Sequence, residues 1–224
     1  MLSTRLRYIS DCLPSGVRLL AVSKGQPVTS IRSLAEIGQC DFGESRLQEA
    51  SPKLNALQEF KNLRWHFIGR LQSNKVRSVV KSFQFIHSVD SFSLAERISR
   101  ISGEEKCSPM IMLQVKFRED PTKGGFSPQQ LLDEWLKLNT LPNLKLVGLM
   151  TMVPINLDCE DRRNVFRDCR ALADQLNLPD CSMGMSSDWK EALQCGATWL
   201  RVGSALFGDD KNHVISHTDI TKSD

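Results

Sequence analysis

The stretch LLAVSKGQPV, residues 19–28, is apolar through Val22, turns polar at Ser23 and Lys24, and breaks at Gly25 and Pro27. A short apolar run closed by glycine and proline reads as a buried strand followed by a turn. Lysine is costly to bury unless its charge is paired or removed, so a lysine where a core strand stops asks for a chemical reason.

Seven more short apolar runs share this character, at 40–43, 64–69, 83–89, 109–117, 144–153, 180–184 and 198–203, and the first strand is read as 18–23. Between them, apolar residues recur three or four apart: Leu47, Ala50, Leu54, Leu57; Leu94, Ala95, Ile98, Ile101; Leu131, Leu132, Trp135, Leu136; and Val165, Phe166, Cys169, Leu172, Leu176. That spacing gives helices with one buried stripe. Ser93 and Glu96 fit a capping box, as do Ser127 and Gln130 around Pro128, while Gly38 and Gly196 suit left-handed helix ends. A further helix from about Ser3 to Cys12 is allowed by the pattern.

Strands alternating with helices predict an α/β fold with a parallel sheet covered on its outer face. Closure into a (β/α)8 barrel of the TIM type follows from where the polar and glycine residues fall. Ser23-Lys24, Gly43-Glu44-Ser45, Gly69, Thr151, Gly184-Met185-Ser186 and Gly203-Ser204 all trail their strands, and in a barrel those ends share one rim. The expected division is one barrel domain over 1–208 and a polar tail, DDKNHVISHTDITKSD, over 209–224.

Composition removes several classes of function. The 29 basic and 26 acidic residues form no dense cationic stripe, so no nucleic-acid partner is expected, and pairs such as Arg162-Arg163 read as solvated helix faces. No apolar run approaches a membrane span and MLSTRLRYIS lacks a signal-peptide core, so the expected location is the cytoplasm. Seven scattered cysteines without a C-x-x-C pair fit reduced thiols. No metal site is expected: His213 and His217 have chelating spacing but lie in the polar tail without a third ligand. A closed barrel has no free strand edge and the chain no heptads, which predicts a monomer.

The stretches CSMGMSSDWKEA (181–192) and WLRVGSALFG (199–208) each pass from strand to Gly and Ser residues and then to a helix start. Unpaired backbone N–H groups at such turns accept anions, and the turns after strands seven and eight are the usual phosphate cup of barrel enzymes. The bland alternative is that Ser186, Ser187 and Asp188 cap a helix and Gly203 turns the chain. Other phosphate devices are missing, since KGG at 123–125 is not a P-loop and no G-x-G-x-x-G opens a helix.

Strands one and eight adjoin in a closed barrel, so the Lys24 amine and the cup lie roughly 8–10 Å apart by interstrand spacing. That span suits pyridoxal 5′-phosphate (PLP), held as a reversible imine on Lys24, with desolvation in the mouth freeing the amine for attack. Arg201, just before the cup, could fork onto the phosphate or reach the pyridine nitrogen.

AVSK (21–24), FGES (42–45) with Gln48-Glu49, WHFIGRLQSNK (65–75), KGG (123–125), GLMTM (148–152), SMGMSSDW (182–189) and RVGSALFG (201–208) then occur in order. Together they resemble the signature segments of the pyridoxal phosphate homeostasis (YggS/PROSC) family, most closely its cyanobacterial members. The resemblance implies a barrel like the N-terminal domain of alanine racemase and other fold type III PLP enzymes, with the aldimine on Lys24. It implies cofactor contacts from Ser182, Met183, Gly184, Ser186, Arg201, Gly203 and Ser204, with Ser45, His66 and Met150 as further candidates. Ser45 replaces an Asn usual in the family, and the 114–120 segment lacks an Asn many relatives carry. The implied role is PLP homeostasis: keeping the free cofactor low, delivering it to PLP-dependent apoenzymes, and thereby influencing amino-acid and keto-acid balance.

Catalysis is not expected. Racemisation needs a base on each face of the cofactor, which alanine racemases complete with a tyrosine near the partner's β-domain. The single tyrosine here, Tyr8, falls in the expected first helix. His66 is the best remaining acid–base candidate, yet an imidazole within WHFIG reads more simply as a packed, hydrogen-bonded residue. Met150 and Met152 could press on the cofactor ring, at least one being ordinary packing. The alternatives are a weak PLP-dependent racemase or decarboxylase, and a cofactor-free Schiff-base aldolase using the same amine.

Overall fold

The computed structural model describes residues 1–120, 122–154 and 156–208. His213, His217 and the rest of the expected tail lie outside the described residues.

Eight parallel strands close in sequence order: β1 (Arg18–Val22), β2 (Asp41–Glu44), β3 (Arg64–Phe67), β4 (Phe85–Val89), β5 (Met110–Gln114), β6 (Lys145–Met150), β7 (Asp180–Ser182) and β8 (Trp199–Val202). Closure is made by β1 lying between β2 and β8, with Leu20 beside Arg201 and Val22 beside Gly43. Every strand but β2, which is shifted by one residue, is shorter than its apolar run, and at β1, β6 and β7 the residues beyond Val22, Met150 and Ser182 leave the ladder for the rim. Helices cover the outside: α1 (Leu2–Asp11), α2 (Val28–Glu36), α3 (Leu47–Ala56), α4 (Val76–Ser82), α5 (Phe92–Glu104), α6 (Pro128–Asn139), α7 (Cys159–Gln175), α8 (Trp189–Gln194) and α9 (Ser204–Phe207).

The helix boundaries show which local signals decide. Ser127 and Gln130 form the reciprocal capping box at the start of α6. The expected box at Ser93 and Glu96 is not formed: α5 begins at Phe92 behind Ser91, so Ser93 already lies inside the first turn. Gly38 and Gly196 take φ of 99° and 86°, the left-handed geometry that ends α2 and α8. Three of these helices, α2, α4 and α8, carry short stripes such as Ile31-Leu34-Ala35 and Val76-Val79-Val80.

Two cores result. The larger lies between the barrel and its helices and includes Ile31, Leu34, Phe42, Ile86, Ile98, Ile111 and Phe166. The smaller fills the barrel with Leu20, Phe85, Met112, Met150 and Trp199, and Ile68 and Met152 pack on it from the mouth side. Glycine sets the rim at one close approach: a side chain on Gly69 would meet the Ser45 carbonyl oxygen at 2.0 Å, so only glycine lets the ends of β2 and β3 converge.

Candidate functional site

Lys24 sits on a tight turn just past β1. Ser23 N–H still donates to the Gly43 carbonyl at 3.0 Å, then Gln26 N–H closes onto the Ser23 carbonyl at 3.0 Å, with Gly25 at φ 76°. Lys24 and Gly25 are exposed, in contrast to the desolvated amine expected from the sequence, because the strand ends two residues earlier and hands Lys24 to the lip of the barrel.

Below the turn lies a charged cage. Lys53, 5% exposed on α3, donates to the Ser23 carbonyl at 2.8 Å, Glu44 Oε1 at 2.9 Å and Glu49 Oε1 at 2.7 Å. Ser23 Oγ donates to Glu44 at 2.6 Å, and the Gly25 N–H donates to Glu49. Burial pushes the Glu44 carboxyl up despite hydrogen bonds from Ser23 and Lys53. Burial acts on Glu49 in the same sense, but the bonds from Lys53 and Gly25 outweigh it and hold Glu49 below the usual carboxylate range.

A cavity of about 790 Å³ opens at the rim, and Lys24, Ser45, Ser186, Arg201, Gly203 and Ser204 all line it. Ile68, Met152 and Met185 supply apolar walls. The backbone N–H groups of Gly203 and Ala205 converge on Ser186 Oγ at 3.2 Å each, so discrete amides and hydroxyls form the cup. The helices behind it are only six and four residues long, which leaves little macrodipole to add.

Arg201 forms the cavity's inner wall. Its guanidinium donates to the Ser182 carbonyl at 2.6 Å, Ser182 Oγ at 2.9 Å and the Thr151 carbonyl at 2.8 Å, without a carboxylate partner among the described residues. Burial pulls its pKa down to about 10. From Ser182 a file of polar side chains crosses the barrel: His87 Nδ1 at 2.8 Å, His87 Nε2 to His66 Nδ1 at 2.9 Å, and His66 Nε2 to Asp41 Oδ1 at 2.9 Å.

Proton bookkeeping fixes its direction. The Asp41 carboxylate accepts from His66 Nε2–H, leaving His66 Nδ1 to accept from His87 Nε2–H, and His87 Nδ1 to accept from the Ser182 hydroxyl. Burial lowers both imidazole pKa values, and His66 further depresses His87. For Asp41, burial raises the pKa but hydrogen bonds from His66 and Arg64 reverse the sign.

The folded state therefore refuses protons that the unfolded histidines accept near their ordinary value of 6.5. Stability should be level above that pH and fall below it until the folded imidazoles protonate. Two such groups give a slope of at most about 2.7 kcal/mol per pH unit. Urea unfolding from pH 8 to 5, with imidazole ¹⁵N spectra, checks this; ordinary titration of His66 and His87 would refute it.

Several candidates from the sequence do not face the cavity. Ser182, Met183 and His66 are fully buried, His66 stacking on Phe85 with ring centroids 4.2 Å apart. Met150 is packed in the inner core, whereas Met152, one step nearer the rim, lines the cavity. Gly184 is buried at φ 86°, its carbonyl accepting from Arg201 N–H at 3.0 Å. Sequence reasoning missed Lys53, Asp41 and His87, whose types and spacing resemble an ordinary helix face and ordinary strand positions.

Residues 2–211 match the alanine racemase N-terminal domain family. The pyridoxal phosphate homeostasis protein of Synechocystis sp. (strain ATCC 27184 / PCC 6803 / Kazusa) is 44% identical over 203 residues, covering 88% of this chain and 93% of that protein. The chain belongs to the pyridoxal phosphate homeostasis protein family. The Escherichia coli K12 homeostasis protein is 32% identical over 202 residues, with 87% of this chain and 86% of that one covered. The structure of PipY from Synechococcus elongatus PCC7942 with PLP bound superposes with a TM-score of 0.89 at 43% identity, covering 93% of this chain and 100% of that one. Alanine racemase of Clostridium difficile 630 shares the fold at a TM-score of 0.78 and 16% identity, over 95% of this chain and 60% of that one. The homeostasis family's barrel is thus the racemase barrel.

Proposed function

We propose that the protein binds PLP in the rim cavity, attaches it to Lys24, and releases it again. The observation that carries this reading is that Lys24, Arg201, Ser186 and the Gly203–Ala205 segment line one cavity. The donor set fits the group: a phosphate suits the hydroxyls of Ser186 and Ser204 and, on displacing Ser186 Oγ, the Gly203 and Ala205 amides that now donate to that hydroxyl, and an aromatic ring suits the Ile68, Met152 and Met185 walls. When bound, PLP supplies an aldehyde carbon that forms a C=N bond to the Lys24 nitrogen as the carbonyl oxygen leaves in water. The name shared by the relatives and the PLP in the PipY structure support the same assignment.

A store rather than a catalyst fits the lining. Besides Lys24 and Arg201, no described residue lining the cavity is ionisable, so the described lining offers a bound ring no imidazole, phenol or carboxylate. Arg201 directed at the pyridine nitrogen would keep it unprotonated and weaken the ring as an electron sink. The proposed role is a cytoplasmic, monomeric reserve that keeps free PLP low and passes it to apoenzymes, with consequences for amino-acid and keto-acid pools.

Titrating the purified protein with PLP should give one equivalent of a chromophore near the visible edge. Borohydride reduction followed by peptide mapping should place the label on Lys24. A label on another amine, or none, would overturn the reading. Solvent deuterium appearing at the Cα of added amino acids would overturn the non-catalytic part alone.

A further inference from the structure

We propose that Lys53 is a positioning residue for Lys24, holding the turn that carries the reactive amine without touching the ligand itself; this rests on the proposed attachment of PLP to Lys24. Both peptide groups flanking Lys24 are tied to the cage. The Ser23 carbonyl accepts directly from Lys53 at 2.8 Å, and the Gly25 N–H donates to Glu49, which Lys53 holds at 2.7 Å. The Ser23 hydroxyl adds a third tie through Glu44, itself paired with Lys53 at 2.9 Å. With both neighbours pinned, only the side-chain torsions of Lys24 remain free.

The cage is hard to explain as a stabilising device. Glu44 is 0% and Lys53 5% exposed, and burying an ion pair costs at least as much as its attraction returns unless every atom is satisfied. Among the described residues Glu44 Oε2 has no hydrogen-bond partner. A buried charged cluster with an unsatisfied oxygen, retained directly beneath a nucleophile's turn, is better accounted for by precision than by stability. Misplacing reacting atoms by about 1 Å costs on the order of 10²-fold in rate, which sets the size of the effect.

Lys53→Met keeps the volume and removes the ammonium; the buried Glu44 carboxyl, already pushed up, can then take a proton and stay neutral. The experiment compares wild type and Lys53→Met in two ligands: PLP, followed by the rate of chromophore formation, and pyridoxine 5′-phosphate, which has the same phosphate and ring but no aldehyde. The expected result is condensation slowed by about 10- to 100-fold with unchanged affinity for pyridoxine 5′-phosphate. An unchanged condensation rate overturns the proposal, and so does equal weakening of both ligands, the signature of a merely structural role. Should Lys53→Met fail to fold, Glu49→Ala decides, because it cuts the tie to Gly25 at the half-buried edge of the cage. An unchanged rate there overturns the proposal. Wild type failing to condense with PLP would instead strike the attachment to Lys24, so the two failures are told apart.

Discussion

Lys24→Ala is expected to give a folded, colourless protein that PLP no longer turns yellow and borohydride no longer labels. Lys24 is exposed, with no hydrogen bond or ion pair among the described residues, so its removal should change stability by no more than about 0.5 kcal/mol. The loss at the ligand is large by comparison. No other amine lines the cavity among the described residues, and Lys53, bonded to the Ser23 carbonyl next to Lys24, is locked to three acceptors. Attachment of an oriented amine draws on high effective concentration, so PLP retention should fall by roughly 10²-fold or more. Pyridoxine 5′-phosphate, which needs only the cup, should bind the variant as it binds wild type. Difference spectra and equilibrium dialysis check both halves; an intact chromophore in Lys24→Ala would show that another amine does the work.

The barrel was legible because its strands are fed by short apolar runs and its rim by polar residues and glycines, two signals that agree only when the sheet closes. Ser127 and Gln130 capped α6 as their spacing demanded, while Ser93 failed because Ser91, two residues earlier, offered the chain a prior place to start. The cavity was legible as far as residues at strand ends go. Depth was not: Met150 and Met152 point the same way along their segment, yet one is core and the other wall. The polar file was invisible for a related reason. Asp41, His66, His87 and Ser182 come from four strands and meet only once register is fixed, so no local spacing announces them. Lys53 was hidden more simply, since Glu49 and Lys53 at i,i+4 look like a solvated helix pair until β2 brings Glu44 beneath them.

Arg201→Met separates the two roles open to the guanidinium. Removing a buried cation relieves its desolvation, but it strands the Ser182 and Thr151 carbonyls, each worth about 1–3 kcal/mol when left unpaired inside. These terms oppose each other, so the change in stability should be smaller than the loss of three hydrogen bonds alone implies. Ligand affinity has no such compensation. A charge-assisted hydrogen bond contributes about 1.5–3 kcal/mol, so PLP should bind roughly 10- to 100-fold more weakly. Inorganic phosphate tells which end of the ligand Arg201 meets. If the guanidinium forks onto the phosphate, competition by inorganic phosphate weakens in parallel with PLP. If it faces the pyridine nitrogen, inorganic phosphate competes as before, and the bound chromophore shifts because the ring nitrogen has lost its cationic neighbour. Isothermal titration with both ligands, beside an absorption spectrum, reads the difference. Unchanged binding of both would remove Arg201 from the site and leave its cluster of buried hydrogen bonds as strand cross-links only.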